Sequence, residues 1–462
     1  MTLIKSISGI RGTIGGSPGE NLTPLDAVKY AAAYGTWVKA QRNKEVYRVV
    51  VGRDARISGE MIQQLVMQTL VGMGIHIIDL GLSTTPTVEV AVDLEHADGG
   101  IILTASHNPK QWNALKLLNN KGEFLDAEAG QEILNIAESD AMSFAEVDDL
   151  GEISINDAYI DLHIEEILDL PLVNIEAIKK AKFKVVVDAV NSTGGIAIPL
   201  LLEALGVHTV ELYCEPNGQF PHNPEPLKEH LGDLMELVVK ENADFGLVVD
   251  PDVDRLAFVD EKGEMFGEEY TLVAVADYVL QNTPGNTVSN MSSSRALRDI
   301  TKRHGCSYTA SAVGEVNVVQ KMKETNAVIG GEGNGGIIYP ELHYGRDSLV
   351  GVALFLSYLA EINITVSQLR TEYPSYFMSK KKIELTPQLN VDEILKKMTE
   401  AYASEEINTI DGVKIDFAEN WVHLRKSNTE PIIRIYTEAK SQEKADALAD
   451  QIIFEIKQIA NL

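Results

Sequence analysis

The chain has 462 residues, of which 45% are hydrophobic and 23% charged, a composition typical of a soluble globular protein with three or four domains. Its 40 Lys and Arg residues against 68 Asp and Glu residues give a net charge of −28, which disfavours nucleic acid and anionic membranes as partners. The two cysteines are too few for a disulfide framework, and no apolar run has the length of a signal peptide or a membrane span. The sequence therefore predicts a cytoplasmic protein.

One strand–helix pattern recurs three times. Each copy begins with a short β-branched run and a polar turn, continues through a helical stretch to a second strand, and ends in a third apolar run. The first runs are residues 48–52, 184–188 and 286–290, and the third runs are residues 99–103, 245–249 and 327–330. This alternation predicts α/β domains with parallel or mixed sheets, and its repetition predicts three related domains in tandem.

The segment after residue 372 has a different pattern. Four strand-like runs, at 381–385, 412–417, 421–424 and 432–436, are combined with helical stretches at 392–404 and 442–458. We therefore predict three tandem related α/β domains with mixed sheets plus a C-terminal α+β domain, arranged around a central cleft. The predicted boundaries are 1–152 for domain I, 153–260 for domain II, 261–372 for domain III and 373–462 for domain IV.

In each repeat the third strand runs into a loop rich in reactive groups. These loops read TASHNP at 104–109, DPDVDR at 250–255 and GEGNGG at 331–336. Because they occupy equivalent positions in related domains, we expect them to lie at equivalent sheet edges and to face one cleft.

The second loop carries Asp250, Asp252 and Asp254 at alternate positions. In an extended segment such residues share a face, and three carboxylates pointing together repel one another unless a cation lies between them. Few ligands and a tight loop favour Mg²⁺, which shares its coordination shell with phosphate oxygens and water.

The first loop places Ser106 beside His107. The chain has no G-x-S-x-G motif, and a neighbouring Ser–His pair is not a hydrolase triad. A serine oxygen beside a divalent cation and basic groups is instead suited to phosphoryl transfer, in which positioning and charge neutralisation supply most of the catalysis.

Two further loops have the groups needed to bind a sugar phosphate. The glycines of GEGNGG let the backbone approach a small ligand, which leaves Glu332 and Asn334 to contact hydroxyl groups. The loop RKSNTEPIIR, residues 425–434, lies between two strands and contains two arginines, a lysine, two hydroxyls and an amide. These donors are typical of a phosphate-binding loop.

Taken in order, SGIRG near the amino terminus, TASHNP, DPDVDR, GEGNGG and RKSNTEPIIR resemble the motifs of the α-D-phosphohexomutase superfamily. This superfamily includes phosphoglucomutases, phosphomannomutases and phosphoglucosamine mutases, and the resemblance spans essentially the whole chain. It implies a phosphorylated Ser106 and Mg²⁺ held by that phosphoserine with Asp250, Asp252 and Asp254. It also implies a sugar loop containing Glu332 and Asn334, and a phosphate clamp formed by Arg425, Ser427, Asn428, Thr429 and Arg434.

The reaction implied converts a hexose 6-phosphate to a hexose 1-phosphate through a 1,6-bisphosphate intermediate, with a glucose- or hexosamine-1,6-bisphosphate as activator. Arg255 would offset charge on the transferring group and contact the substrate. His107, Lys116 and Arg11 are the candidates for the base that accepts the hydroxyl proton. The partner is a phosphorylated hexose or hexosamine, and the protein is a monomer or a homodimer.

The sugar loop departs from one common pattern. Bacterial phosphoglucosamine mutases usually have Gln-Ser-Gly-His at its end, where this chain has GNGG, and His343 could supply the missing imidazole. The GEGNGG form is more similar to archaeal-type members, which are assigned glucosamine-, glucose- and mannose-phosphate activities. We favour conversion of glucosamine 6-phosphate to glucosamine 1-phosphate, with phosphomannomutase or phosphoglucomutase as the alternative. A metal-dependent sugar phosphatase and a non-catalytic sugar-phosphate sensor are the rivals from other classes.

Overall fold

Among the residues that the structure describes there are four β-sheets, three of them built from the repeated pattern and one from the carboxyl-terminal segment. The structure is a computed structural model that describes residues 2–6, 9–139, 141–384, 390–426 and 432–459. In the part of the chain so described, no helix is both long and apolar enough to cross a membrane.

The first sheet has seven strands in the order β1-β2-β6-β5-β3-β4-β7. Its elements are β1 (Ile4–Ser6), β2 (Gly9–Thr13), α1 (Pro24–Gln41), β3 (Tyr47–Arg53), α2 (Gly59–Val71), β4 (Ile75–Leu82), α3 (Thr85–Leu94), β5 (Gly99–Leu103), β6 (Trp112–Leu118), α4 (Ala127–Ser139) and β7 (Ile153–Ile155).

The second sheet has four strands in the order β11-β10-β8-β9. Its region contains α5 (Tyr159–Leu168), α6 (Ile175–Ala181), β8 (Lys184–Asp188), α7 (Gly194–Ala204), β9 (His208–Leu212), α8 (Gly232–Lys240), β10 (Phe245–Val249) and β11 (Leu256–Asp260).

The third sheet also has four strands, in the order β13-β12-β14-β15. Its region contains α9 (Glu268–Asn282), β12 (Asn286–Asn290), α10 (Arg295–Arg303), β13 (Tyr308–Ser311), α11 (Glu315–Thr325), β14 (Ala327–Glu332), β15 (Gly336–Ile338), α12 (Ser348–Ile362) and α13 (Val366–Thr371).

The fourth sheet is antiparallel throughout, with the order β16-β20-β19-β18-β17. Its elements are β16 (Phe377–Glu384), α14 (Val391–Ala401), β17 (Glu406–Asn408), β18 (Val413–Asp416), β19 (Trp421–Lys426), β20 (Ile432–Ala439) and α15 (Gln442–Ile459). The strand β17 was not predicted from the sequence, whereas the two helices and the four other strands were.

The three repeated sheets share one topology, and the predicted fold class is therefore confirmed. In each of them three parallel strands are arranged second–first–third, and a fourth strand returns antiparallel beside the third. The three reactive loops each connect the third strand to the fourth, so they leave equivalent edges of related sheets. The predicted domain boundaries stay predictions; residues 153–155 pair with β4 as the edge strand of the first sheet.

A continuous apolar core joins the second and third sheets. Helix α12 runs through it with every residue from Ser348 to Leu359 buried, as its apolar sequence predicts. The Phe355 ring stacks on Phe258 of β11 with centroids 3.9 Å apart, and it meets Phe245 and Phe266 edge-on. These contacts pack helix α12 of the third domain against strands of the second sheet, so the second and third domains form one body.

The fourth domain contacts the third through polar groups. Arg295, at the start of α10, donates from its Nη2 atom to Asp416 Oδ1 at 2.6 Å and to the Asn420 carbonyl at 2.9 Å. The backbone amide of Arg295 donates to Glu438 Oε1, and Lys414 Nζ donates to the Met291 carbonyl at 2.8 Å. The apolar cluster of the fourth domain, within the described ranges, contains only residues of that domain.

We expect Phe355→Ala to lower the free energy of unfolding by about 3–5 kcal/mol, since it removes a fully buried ring and leaves a cavity between two domains. Denaturant-induced unfolding measures this loss. Phe454→Ala is the matched control, because that ring is 61% exposed and its removal should change stability by less than about 0.5 kcal/mol. Equal losses in the two variants would show that the aromatic cluster does not stabilise the joint.

Candidate active site

The first reactive loop holds Ser106 against the second. Ser106 is 6% exposed, and its hydroxyl donates to Asp250 Oδ2 at 2.7 Å. Its backbone φ of +49° lies in the left-handed region, where a non-glycine residue is uncommon, and its amide donates to Thr104 Oγ1 at 2.9 Å. The loop therefore turns sharply enough to point a serine from domain I at an aspartate from domain II.

The second loop buries all three of its aspartates. Asp250, Asp252 and Asp254 are each 0% exposed, and carboxylate oxygens from the three lie within 4.8 Å of one another. The backbone amides of Asp254 and Arg255 both donate to Asp250 Oδ1 at 3.1 Å, which closes the loop on itself. Val253 has a φ of +65°, a strained conformation for a β-branched residue that persists only where the surroundings enforce it.

Groups from the first and third domains contact the carboxylates of Asp252 and Asp254. Lys116 Nζ donates to Asp252 Oδ2 at 2.6 Å and to Asp254 Oδ2 at 3.3 Å. The Thr85 hydroxyl donates to the same Asp252 oxygen at 2.6 Å, and Arg346 Nη2 donates to Asp254 Oδ2 at 2.7 Å. Two cations thus offset part of a buried charge that would otherwise be very costly.

The pKa values reflect this charge balance. Burial, and then the charges of Asp252 and Asp254, raise the pKa of Asp250 well above its usual range. Burial, the largest single influence, acts in the same direction on Asp252, but the charge of Lys116 and the hydrogen bonds from Lys116 and Thr85 together lower the pKa of that carboxyl. The reciprocal effect raises the pKa of Lys116 although its burial opposes the charge, so its ammonium group stays charged.

The aspartate loop fits a divalent cation. The Oδ1 atoms of Asp252 and Asp254 are buried and accept no hydrogen bond from any group in the described ranges. An unpaired buried carboxylate oxygen is expensive, and oxygen donors in this number are the ligands that Mg²⁺ and Ca²⁺ prefer. The three aspartates could therefore hold a metal ion beside Ser106.

The three candidate bases lie around Ser106. The Ser106 Oγ atom is 3.4 Å from His107 Nδ1, and Arg11 Nη1 donates to Asn108 Oδ1 at 3.0 Å. Burial, followed by the charge of Arg255, lowers the pKa of His107 well below its usual value and also lowers the pKa of Arg11. The structure thus places an uncharged imidazole next to the serine and guanidinium groups close by.

Arg56 holds the serine loop, and sequence reasoning missed it. Its side chain is fully buried, and its Nε atom pairs with Asp54 Oδ2 at 2.9 Å. Nη1 donates to the Pro109 and Trp112 carbonyls at 2.7 and 3.0 Å, and Nη2 donates to the carbonyls of Ser106 and Asn108. All five N–H groups of the guanidinium are used. The only signal was a second basic residue in the GRDAR turn after β3.

Arg346, also missed, connects the aspartate loop to the predicted sugar loop. Besides Asp254, it contacts Glu315 through Nε at 2.9 Å and Glu332 through Nη1 at 3.2 Å. Glu332 further accepts from Asn290 Nδ2 at 2.8 Å. The loops also touch directly, because the Leu256 amide donates to the Gly335 carbonyl at 3.1 Å.

Asn334 of the predicted sugar loop and Arg255 of the aspartate loop have partners nearby. Asn334 accepts from the Gly336 amide at 3.2 Å, which shapes the turn itself. Arg255 Nη1 lies 3.5 Å from Glu225 Oε1. His343, the candidate for the missing imidazole of the sugar loop, has its Nδ1 and Nε2 atoms 3.3 and 3.4 Å from the Glu89 and Asp347 carboxylates.

The predicted phosphate clamp is described in part. Arg425 and Arg434 face each other on the antiparallel strands β19 and β20, so their side chains share one face of the sheet. Arg425 Nε pairs with Asp411 Oδ2 at 3.0 Å, and Asp411 Oδ2 also accepts from the Val313 amide at 3.0 Å. Ser427, Asn428 and Thr429 lie outside the described residues.

Four family models match this chain in order. They are described as Phosphoglucomutase/phosphomannomutase, with alpha/beta/alpha domain I at residues 3–143, alpha/beta/alpha domain II at 157–263, alpha/beta/alpha domain III at 267–376 and the C-terminal domain at 361–454. The matches follow the four sheets of the structure.

Known proteins align over nearly the full length. A Phosphoglucomutase/phosphomannomutase of Thermococcus kodakarensis is 39% identical over 440 residues, 94% of this chain and 95% of that protein. A Probable phosphoglucosamine mutase of Methanopyrus kandleri is 33% identical over 452 residues, 96% of each protein. The crystal structure of a phosphoglucomutase/phosphomannomutase family protein from Burkholderia thailandensis has a TM-score of 0.86 and 26% identity, covering 100% of this chain and 98% of that one. The chain therefore belongs to the phosphoglucomutase/phosphomannomutase family and is a phosphohexomutase, an isomerase that moves a phosphoryl group.

Proposed function

We propose that this phosphohexomutase converts a hexose 6-phosphate to the 1-phosphate by way of a phosphorylated Ser106 and a sugar 1,6-bisphosphate. The observation that carries the proposal is the 2.7 Å contact between Ser106 Oγ and Asp250 Oδ2. It sets a nucleophilic oxygen of one domain against a buried carboxylate cluster of another. A loop serine without a transfer role has no need of that cluster.

The first half-reaction transfers a phosphoryl group from Ser106 to the sugar. The free hydroxyl oxygen of the sugar attacks the phosphorus, the new O–P bond forms, and the bond between Ser106 Oγ and phosphorus breaks. The hydroxyl proton passes to a base beside the serine, and a proton is returned to the released Ser106 oxygen. Of the candidates His107, Lys116 and Arg11, the uncharged imidazole of His107 has a lone pair for that proton, whereas Lys116 and Arg11 would first have to lose a proton of their own. The bisphosphate then turns over within the cleft. In the second half-reaction Ser106 Oγ attacks the other phosphorus, the bond between that phosphorus and the sugar oxygen breaks, the sugar oxygen takes up a proton, and Ser106 is phosphorylated again.

Asp250, Asp252 and Asp254 would hold Mg²⁺ together with a phosphoserine oxygen, and members of the family generally depend on that ion. When bound, Mg²⁺ supplies positive charge that offsets the charge of the transferring phosphoryl group. Arg255 adds a guanidinium at the same loop. Lys116 and Arg346 keep the remaining carboxylate oxygens oriented.

The other predicted loops bind the part of the substrate that is not reacting. We assign Glu332 and Asn334 to sugar hydroxyls, and Arg425, Ser427, Asn428, Thr429 and Arg434 to the distant phosphate. Arg425 and Arg434 on one sheet face support this assignment, since paired guanidinium groups are suited to a phosphate. A phosphatase needs no second phosphate site, and a sensor needs no serine beside a buried carboxylate cluster.

For the sugar, we propose glucosamine phosphate. The similarity to a protein named Probable phosphoglucosamine mutase supports it, and so does a carboxylate, Glu332, in the sugar loop, because an ammonium at C2 is a substituent that a carboxylate distinguishes from a hydroxyl. The 39% identity to the protein named Phosphoglucomutase/phosphomannomutase favours the second candidate, glucose or mannose phosphate. A 1,6-bisphosphate activator, a cytoplasmic location and a monomeric or dimeric state belong to the same proposal.

We further propose that Arg56 positions Ser106. It binds four backbone carbonyls of the loop and has no exposed atom to offer a substrate. Its effect on transfer therefore passes through the backbone of residues 106–112, which fixes the direction of the serine oxygen.

Ser106→Ala should abolish isomerisation without unfolding the protein, because it removes the phosphoryl carrier and little packing volume. Mass spectrometry should find about 80 Da of additional mass in wild-type protein treated with a 1,6-bisphosphate and none in the variant. Ser139→Ala, at the exposed end of α4, is the matched control. Activity of more than a few per cent in Ser106→Ala would contradict the phosphoserine mechanism.

The sugar is tested by comparing kcat/KM for glucosamine, glucose and mannose 6-phosphates, each with its 1,6-bisphosphate as primer. We expect the glucosamine substrate to be preferred, and Glu332→Gln to lower its kcat/KM by roughly 10-fold or more, since a charged hydrogen bond becomes a neutral one. A preference for glucose or mannose phosphate that Glu332→Gln leaves unchanged would support the second candidate.

Arg56→Lys should lower kcat and the rate of Ser106 phosphorylation by about 100-fold with little change in KM, because an ammonium cannot bind four carbonyls in fixed directions. Arg53→Lys is the control from the same turn; its guanidinium contacts Gln63 and the Asp54 carbonyl instead of the serine loop. If the two variants lose kcat equally, or if KM rises while kcat is kept, Arg56 does not position the serine.

A further inference from the structure

A second cluster of metal-ligating side chains lies where α3, α5 and the loop before α12 meet. It consists of His163 on α5, His343 in the loop and Asp347 at the amino-terminal cap of α12, and one ligand atom from each lies within 4.8 Å of the others. His163 and Asp347 are 0% exposed. No residue of this cluster belongs to the phosphoryl-transfer site proposed above.

The Nε2 atoms of both histidines lie close to one carboxylate oxygen of Asp347. Asp347 Oδ2 is 3.0 Å from His163 Nε2 and 3.4 Å from His343 Nε2. The rings are nearly perpendicular, at 81°, with centroids 6.1 Å apart. Ligand atoms bound to one ion at about 2.0–2.2 Å are separated by about 3–3.5 Å, so the two spacings to Asp347 Oδ2 match a shared ion, and one ligand atom of each imidazole lies within 4.8 Å of the other.

The remaining polar atoms of the cluster have the partners that metal ligands usually have. His163 Nδ1 lies 3.0 Å from the Thr87 hydroxyl, and that hydroxyl lies 2.7 Å from Thr84 Oγ1, to which it can donate. His163 Nδ1 can therefore carry the proton, which leaves the Nε2 lone pair directed at Asp347. The other Asp347 oxygen accepts from the Leu349 amide at 2.7 Å, which fixes the carboxylate.

Glu89 is the independent observation that points to a ligand. It is 2% exposed, and both of its carboxylate oxygens are buried without a hydrogen bond from any residue the structure describes. Its Oε2 atom lies 3.3 Å from His343 Nδ1. A carboxylate behind the far nitrogen of an imidazole is the usual outer partner of a histidine that binds a metal through its other nitrogen.

The loop is shaped to allow this approach. A Cβ atom on Gly345 would lie 1.8 Å from Glu89 Oε2 and 2.8 Å from the His343 ring, so only glycine fits between them. The His343 side chain is 12% exposed, which leaves a route for an ion from solvent.

We propose that His163 Nε2, His343 Nε2 and Asp347 Oδ2 bind a transition-metal dication of the zinc class, with Glu89 as the outer partner of His343. Two imidazoles and one carboxylate are ligands for such an ion, whereas the all-oxygen aspartate loop favours Mg²⁺. One dication also neutralises the two carboxylates, Glu89 and Asp347. The ion joins helix α5 of the second domain to the loop and cap before α12 of the third, and Glu89 on α3 connects the first domain to it through His343.

The test is a Zn²⁺ titration of the metal-stripped full-length protein against a chromophoric chelator, in excess Mg²⁺ so that the aspartate loop is supplied with its preferred ion. Wild type should bind one tight Zn²⁺ per chain and show a rise in melting temperature on binding. His163→Gln and His343→Gln should each lose that binding, and Glu89→Gln should weaken it roughly 10- to 100-fold.

His222→Gln is the matched control. His222 Nε2 lies 3.0 Å from Asp188 Oδ2, the same pair distance as in His163 and Asp347, but no second imidazole faces that aspartate in the described structure. Its zinc binding should equal that of wild type. Circular dichroism without metal verifies folding, and Glu89→Gln keeps the test decisive if an imidazole variant does not fold. Wild type that binds no zinc, or zinc affinity unchanged by His343→Gln and Glu89→Gln, overturns the proposal.

Discussion

The burial of three carboxylates on one loop is the constraint on which the rest of the structure depends. Asp250, Asp252 and Asp254 could not remain at 0% exposure together on their own, since each buried charge requires a partner. The partners come from outside the loop's own domain: Lys116 and Thr85 from the first sheet's region, and Arg346 from the third. Charge pairing and hydrogen bonding at this loop therefore connect three domains. The same packing places Ser106 next to Asp250, so the arrangement of the domains also forms the site.

From this loop a chain of polar contacts extends to the fourth domain. Arg346 joins Asp254 to Glu332, and Glu332 accepts from the Gly314 amide at 3.2 Å. The neighbouring Val313 amide donates to Asp411, which pairs with Arg425 of the proposed phosphate clamp. A substrate that displaces Glu332 from Arg346 would disturb contacts at both ends of this chain. The loop at 331–336 is thus linked by these contacts to the aspartate loop and to Arg425.

Much of the fold, and the position of the reactive loops, could be predicted from the sequence because they depend on local residue patterns. Short strand-like runs in the same order in each repeat were sufficient for the three sheets, and a loop after each third strand was sufficient to locate Ser106, the aspartates and Glu332. Arg56, Arg346 and the His163–His343–Asp347 cluster could not be found this way. Arg56 binds carbonyls 50 to 56 residues away, and His163 meets Asp347 across 184 residues. Backbone carbonyls leave no mark in a sequence, and a lone histidine on an amphipathic helix is usually only a packed side chain.

The joints between domains differ in chemistry, and this difference determines which of them can open. Separating the second and third domains would expose the ring cluster around Phe355 to water, at a cost proportional to the apolar area uncovered. The joint to the fourth domain is formed by Arg295, Lys414 and Glu438, whose groups can exchange protein partners for water at a small net cost. Burial lowers the pKa of Lys414 to about 8, because removing the ammonium group from water disfavours its charged form. The proposed phosphate clamp is therefore carried on the domain whose joint is polar, while the aspartates lie on a domain that shares an apolar core with the third.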